Sequence, residues 1–124
     1  AGPVIAARLR RGESIPGFGH PLYPQGDPRG RLLLEQITAL APNSAQVKLA
    51  AAVSAEVEGL LGLRPTIDFG LVTAARALNL PPDAPITLFA LGRTIGWIGQ
   101  ALEAYAEDRI IRPRARYVGH LPES

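Results

Sequence analysis

The sequence predicts a globular all-α protein; two observations indicate the helical class and a third indicates the globular chain. Apolar residues recur at spacings of three and four over most of the 124 residues, which is the period of an amphipathic helix. No stretch alternates polar and apolar residues for long enough to form a strand. An apolar content of 47% with 19% charged residues is typical of a globular chain with enough material for one core.

The first helix is predicted over residues 3–11, and a long loop follows it. Val4, Ile5 and Leu9 are spaced to face inward, while the arginines at the end of this helix suit the negative pole of its dipole. Glycines and prolines cluster between residues 12 and 30, which indicates a long loop between helices.

The second and third helices begin at capping signals. Asp27 is predicted to be an N-cap with Pro28 as the first helical residue, and this helix ends near Pro42. Asn43 and Gln46 resemble a capping box at the start of the third helix. The third helix is expected to end at Gly62 and Pro65. The inward residues predicted for the two helices are Leu33, Ile37, Leu40, Leu49, Val53, Val57 and Leu60.

Two further helices complete the prediction. Asp68 is expected to cap the fourth helix. The inward residues of the fourth helix are predicted to be Leu71, Val72, Ala75 and Leu78. Asp83 and Pro85 open the last helix, which continues to about Tyr105. Both faces of this last helix are apolar, so we expect it to be buried.

Composition excludes several kinds of site. The chain has no Cys, which excludes disulfides, thiolate metal sites and cysteine nucleophiles. A net charge of +2 is too weak to indicate nucleic-acid binding. Arg93 at the centre of the most apolar segment argues against a membrane span.

The chain has no Met and begins Ala1-Gly2, so we expect a processed chain or a piece of a longer protein.

Three side chains are candidates for function. Arg29 lies in the first turn of a helix, where the dipole disfavours a cation; it either points away from the axis or binds an anion. Arg93 is the only charged residue between Asp83 and Glu103, so it is expected to be buried with an internal acid or an anionic ligand. His20 is held between glycines and a proline in a loop, a setting that often carries function, although a lone histidine is more often structural.

Four segments in order resemble the citrate synthase family. They are residues 17–29 (GFGHPLYPQGDPR), 65–69 (PTIDF), 88–98 (LFALGRTIGWI) and 112–119 (RPRARYVG), and the resemblance covers essentially the whole chain. Members of that family often have Arg and Lys where this chain has Pro21 and Pro24. The resemblance implies an enzyme that condenses acetyl-CoA with oxaloacetate to give citrate and CoA.

The resemblance also implies roles for individual residues. Asp68 would remove a methyl proton from the acetyl group, and His20 would polarise the oxaloacetate carbonyl. Arg29 and Arg93 would bind the carboxylates of oxaloacetate, and Arg112 would do so from the neighbouring subunit of a homodimer. The backbone of Ile15, Pro16, Gly17, Phe18 and Gly19 would contact CoA. No metal and no permanently bound cofactor is implied.

The same resemblance places this chain within a larger enzyme. Residues 1–80 would form most of a small domain, and residues 81–124 would be C-terminal helices and tail of a large domain. A second active-site histidine would lie upstream, so the chain would carry part of an active site and be inactive alone. A cytoplasmic location is expected. The alternatives are a non-catalytic module that binds di- or tricarboxylates, a 2-methylcitrate synthase, a citryl-CoA lyase relative, or a nucleic-acid binder with an arginine-rich tail.

Overall fold

The computed structural model describes residues 2–107 and is helical, as the sequence predicts. Its helices are α1 (Gly2–Arg10), α2 (Pro28–Leu40), α3 (Ala45–Leu61), α4 (Ile67–Ala77) and α5 (Ala84–Ala106). No strand forms within residues 2–107, where a single antiparallel bridge joins Phe18 to Pro65. The chain divides into two compact units, one ending at Gly92 and one beginning at Arg93. Arg112 and the predicted C-terminal segment lie outside the described residues.

The start of α2 and the end of α3 follow the predicted local signals. The Asp27 carboxylate accepts a hydrogen bond from the Arg29 backbone N–H at 3.0 Å, and Pro28 is the first helical residue. Gly62 ends α3 in the left-handed conformation, with φ of 66°. These signals act over a few residues, which is why sequence alone could locate them.

The predicted caps of α3 and α4 are wrong. Ser44, not Asn43, caps α3, because its Oγ accepts the Gln46 N–H at 3.2 Å. Thr66 is the N-cap residue of α4, and Asp68 lies in the first turn. Thr66 provides no side-chain cap; instead the Asp27 carboxylate accepts the Ile67 N–H at 3.0 Å. The capping oxygen therefore comes from a residue 40 positions earlier in the chain.

Two clusters of buried apolar side chains hold the first unit together. Val57 of α3 is fully buried in one cluster and Ile37 of α2 is almost fully buried in the other. The first cluster contains Ile5, Ile15, Phe18 and Val57, with Leu9, Val53 and Phe69 packed against it. The second contains Ile37, Val47 and Ala74, with Leu33 and Ala77 packed against it. The long loop therefore contributes two residues to the core alongside the helices.

Several residues predicted to face inward are exposed instead. They are Val4, Leu40, Leu49, Leu60, Val72 and Leu78. On α4 the reason is the close approach of α2, which selects small side chains for the buried face. The residues buried on α4 are Gly70, Thr73, Ala74 and Ala75. The larger side chains of Val72 and Leu78 lie outside this contact and are exposed.

Helix α5 does not show the predicted burial. None of its residues is buried, and Arg93 is exposed rather than enclosed with a partner. A helix that is apolar on both faces is buried only where other surfaces cover both faces, and its own sequence does not supply those surfaces. The Arg93 guanidinium lies along its own helix, 2.8 Å from where a Cβ on Gly96 would stand. No helix among residues 2–107 is both long enough and apolar enough to cross a membrane.

The N-terminal turns of α2 and α4 come close together at Gly30. A Cβ at Gly30 would stand 2.6 Å from the Thr66 carbonyl carbon and oxygen and 2.9 Å from the Ile67 nitrogen. About one turn after Ile67 in α4, a Cβ at Gly70 would stand 3.3 Å from the Gly30 carbonyl oxygen. The obstacles at Gly30 are backbone atoms, which cannot move aside as a flexible side chain could. This crossing therefore requires glycine at position 30.

The crossing predicts that Gly30→Ala destabilises the protein by about 2–3 kcal/mol, the upper part of the range for overpacking. Gly59→Ala is a matched control in α3, because a Cβ there meets nothing within 4 Å. The control should instead stabilise the protein by about 0.5–1 kcal/mol through helix propensity. Urea denaturation of the full-length protein measures both changes, and equal effects of the two substitutions would contradict the proposed contact.

Candidate active site

The loop before His20 is attached to the segment before α4 by backbone hydrogen bonds. Gly19 donates its N–H to the Arg64 carbonyl at 3.0 Å, and Thr66 donates to the Gly17 carbonyl at 2.9 Å. Gly17 and Gly19 both have positive φ, at 81° and 75°, which favours glycine at these positions. The rings of Phe18 and Phe69 pack at a centroid distance of 4.7 Å. The segments that carry His20 and Asp68 are therefore fixed to each other.

His20 has a defined ring orientation and tautomer. Its Nδ1 accepts the Leu22 backbone N–H at 3.1 Å, which leaves the proton of the neutral imidazole on Nε2. Its ring packs against the Tyr23 ring at a centroid distance of 5.0 Å. The side chain is only partly buried. Nε2–H is thus a candidate donor to an oxygen atom of a ligand.

Asp27 is the most completely enclosed charged residue of the described chain, with 2% of its surface exposed. Its Oδ1 accepts from the backbone N and Nε of Arg29, and its Oδ2 accepts from Nη2 of Arg29 and from Ile67 N; each distance is 3.0 Å. Burial alone would raise the pKa of this carboxyl. The hydrogen bonds from Arg29 and Ile67 and the Arg29 charge outweigh burial and lower the pKa of Asp27 to about 2.

The Arg29 guanidinium lies between Asp27 and Tyr23. Its Cζ is 5.3 Å from the centroid of the Tyr23 ring, a cation–π arrangement. The hydrogen bonds donated to Asp27 raise the pKa of Arg29, and partial burial opposes them only in part. Its side chain remains 50% exposed. Asp27 supplies the negative charge that offsets the unfavourable helix dipole, and Arg29 still presents a free edge to solvent.

Asp68 lies in the first turn of α4 with its side chain exposed. The Thr66 hydroxyl is 3.4 Å from its Oδ2. The negative charge of Asp68 is the smallest of the influences that raise the pKa of Arg29. Asp68 does not serve as the cap, so its carboxylate remains accessible to a ligand.

The structure thus brings together three of the predicted site residues, His20, Arg29 and Asp68, through the paired segments described above. Arg93 belongs to the second unit. Within the segment expected to contact CoA, Ile15 and Phe18 are core residues, and Gly17 and Gly19 use a carbonyl and an N–H to pair with residues 64–66.

Sequence reasoning missed two residues of this site. Asp27 was identified only as a helix cap, although its second oxygen binds the start of α4. Tyr23 was noted only as part of a motif, although its ring contacts both His20 and Arg29. An acidic residue two positions before an arginine at a helix start is a signal that could have suggested the ion pair. Residues 2–107 contain no group of acidic or histidine side chains suited to a metal ion.

A groove of about 1150 Å³ lies beside this site, between α2 and α3. Tyr23 and Asp27 line one end of it, and Val47, Ala50 and Leu34 contribute apolar surface. His20 and Asp68 do not line the groove. The groove is therefore a separate feature from the surface that carries the candidate catalytic side chains.

Comparison with known proteins agrees with the fold. The family model for the C-terminal domain of citrate synthase matches residues 1–114. A citrate synthase of Haloferax volcanii is 37% identical over 114 residues, which cover 90% of this chain and 30% of that relative. Citrate synthase 2 of Bacillus subtilis is 36% identical over 96% of this chain and 33% of its own length. A 2-methylcitrate synthase of Shewanella oneidensis is 32% identical over 96% of this chain and 32% of its own length.

Residues 2–107 thus form an all-α domain in which a glycine-rich loop with His20 is paired with the segment before α4. The chain belongs to the citrate synthase family. It spans about one third of the length of these curated relatives.

The lowered pKa of Asp27 predicts a specific acid sensitivity. The folded state holds Asp27 at a pKa of about 2 instead of 3.8, so it binds this proton more weakly than the unfolded chain. The resulting stability, about 2 kcal/mol, is present above pH 4 and is lost as the pH falls toward 2.

The excess stability of wild type over Asp27→Asn should therefore shrink by about 2 kcal/mol between about pH 5 and pH 2. Urea denaturation at a series of pH values measures this difference. Ser44→Ala removes a helix cap without removing an ionisable group, so its difference from wild type should not change with pH. A constant difference for Asp27→Asn would contradict the assignment.

Proposed function

We propose that the full-length protein is an acyltransferase that condenses acetyl-CoA with oxaloacetate to give citrate and CoA, and that this chain carries part of its active site. The observation that carries the proposal is the pairing of the His20 loop with the start of α4. This pairing fixes an imidazole N–H donor, a charged guanidinium and an accessible carboxylate to one another. Family membership supports the same chemistry.

Each side chain has a role that suits its chemistry. Asp68 removes a proton from the methyl group of acetyl-CoA, and the resulting enol attacks the carbonyl carbon of oxaloacetate. His20 donates its Nε2–H to the carbonyl oxygen, which gains negative charge as the carbon–carbon bond forms. Water then hydrolyses the citryl thioester and releases CoA. The chemistry requires both substrates to be held in register.

Arginines supply the charge that a dicarboxylate substrate requires. Arg29 retains a free edge beside Asp27 and binds one carboxylate of oxaloacetate. Arg93 binds in the same way, and Arg112 does so from the neighbouring subunit of a homodimer. The co-substrate acetyl-CoA binds along the backbone of residues 15–19. No permanently bound cofactor is required.

Two related functions compete with this proposal. The similarity to a 2-methylcitrate synthase favours propionyl-CoA as an alternative acyl donor. Pro21 and Pro24 favour a module that binds carboxylates without handling acyl-CoA. Calorimetry separates this second alternative: tightening of oxaloacetate binding by CoA supports the enzyme, and binding without any such coupling supports the module. Comparing acetyl-CoA with propionyl-CoA in a turnover assay resolves the acyl donor.

The assignment of Asp68 predicts that Asp68→Asn lowers kcat by about 10²–10⁴-fold, because the amide cannot accept the methyl proton. Release of CoA by the full-length protein in the presence of oxaloacetate measures this rate. Asp83→Asn is a control for loss of a carboxylate, since Asp83 is also exposed and also lies at the start of a helix, immediately before α5. Full activity in Asp68→Asn would refute its role as the base.

The assignment of Arg112 predicts complementation between two inactive variants. A mixed dimer of Asp68→Ala and Arg112→Ala subunits contains one site with both residues intact, provided that Arg112 acts across the interface. Random mixing of equal amounts should then restore about one quarter of wild-type activity. If Arg112 acts within its own subunit, every site has one defect and no activity returns. The CoA-release assay on co-expressed subunits distinguishes these results.

A further inference from the structure

We infer that Asp27 is a positioning residue for oxaloacetate, because it occupies one edge of the Arg29 guanidinium and so directs a substrate carboxylate to the other edge. This inference rests on the proposed function. It assigns a role in substrate recognition to a buried side chain that does not itself touch substrate.

A guanidinium group has two edges that can each hold a carboxylate through paired hydrogen bonds. Asp27 accepts from Nε and Nη2 of Arg29, both at 3.0 Å, and so occupies the side edge. Nη1 has no hydrogen-bond partner among residues 2–107. The end edge, formed by Nη1 and the second N–H of Nη2, is therefore the edge available to an incoming carboxylate.

Two contacts keep the guanidinium in this orientation before substrate arrives. Asp27 cannot turn, since its oxygens also accept the Arg29 backbone N–H and the Ile67 N–H. Tyr23 covers one face of the guanidinium, with Cζ 5.3 Å from the ring centroid, and the same ring packs against His20. These contacts fix the position and the plane of the end edge of Arg29 relative to His20 and to the start of α4.

The arrangement has an electrostatic cost that supports a positioning role. Asp27 neutralises the charge of Arg29, which weakens long-range attraction of a dianionic substrate. A site selected for attraction alone would omit this carboxylate. Fixed geometry compensates, because a preorganised bidentate donor loses less conformational freedom when it binds.

The test measures steady-state kinetics of full-length Asp27→Asn, with Ser44→Ala as the control for loss of a helix cap. The amide places an N–H donor against either Arg29 or Ile67, so Arg29 loses its fixed orientation. We expect the KM for oxaloacetate to rise about tenfold or more, with the KM for acetyl-CoA changed less than about twofold. Ser44→Ala should leave both KM values unchanged. A merely structural role would lower the amount of active enzyme without separating the two KM values.

A crystal structure of the wild type with oxaloacetate provides a second test that does not depend on a variant folding. A carboxylate on Nη1 and Nη2, with Asp27 still on Nε, supports the inference; a carboxylate that displaces Asp27 overturns it. An active wild type whose oxaloacetate KM is unchanged by Asp27→Asn overturns the inference alone. A wild type that neither condenses the substrates nor binds oxaloacetate overturns both the inference and the proposed function.

Discussion

The rest of this structure depends on the hydrogen bonds that the buried carboxylate of Asp27 accepts. Its Oδ1 accepts a backbone N–H from the first turn of α2, and its Oδ2 accepts one from the first turn of α4. A single negative charge therefore stabilises the N-termini of two helices. The same oxygens hold the Arg29 guanidinium. A buried charge is tolerated only when it is fully hydrogen-bonded, and here four donors meet that requirement. Fold and candidate site therefore share one set of bonds.

The hydrogen bond from Ile67 to Asp27 also requires α2 and α4 to cross closely. Because Gly30 has no side chain, the backbones of the two helices come into contact at their N-terminal turns. The small buried residues of α4 continue this close packing along the helix. Without this approach the Asp27 oxygen could not reach Ile67 N at 3.0 Å. The loop that carries His20 is attached to the same region through residues 64–66. Packing thus determines how near the functional groups of separate segments can be to one another.

Sequence reasoning succeeded where the determinants are local. The helical class, the Asp27 cap and the end of α3 at Gly62 follow from spacing and from residue types within a few positions. It failed for the start of α4 because the capping oxygen comes from a distant segment. Periodicity showed that α5 is apolar on both faces but could not show what covers them. Motifs indicate His20, Arg29 and Asp68, whereas the link through Asp27 joins segments 40 positions apart and leaves no local signal.

The pairing of residues 17–19 with residues 64–66 uses backbone atoms and glycine conformations rather than particular side chains. Substitution of an exposed side chain beside His20 leaves these backbone hydrogen bonds intact. Pro21 and Pro24 are exposed positions of this kind. The surface around the imidazole can therefore change while the backbone that positions His20 is kept.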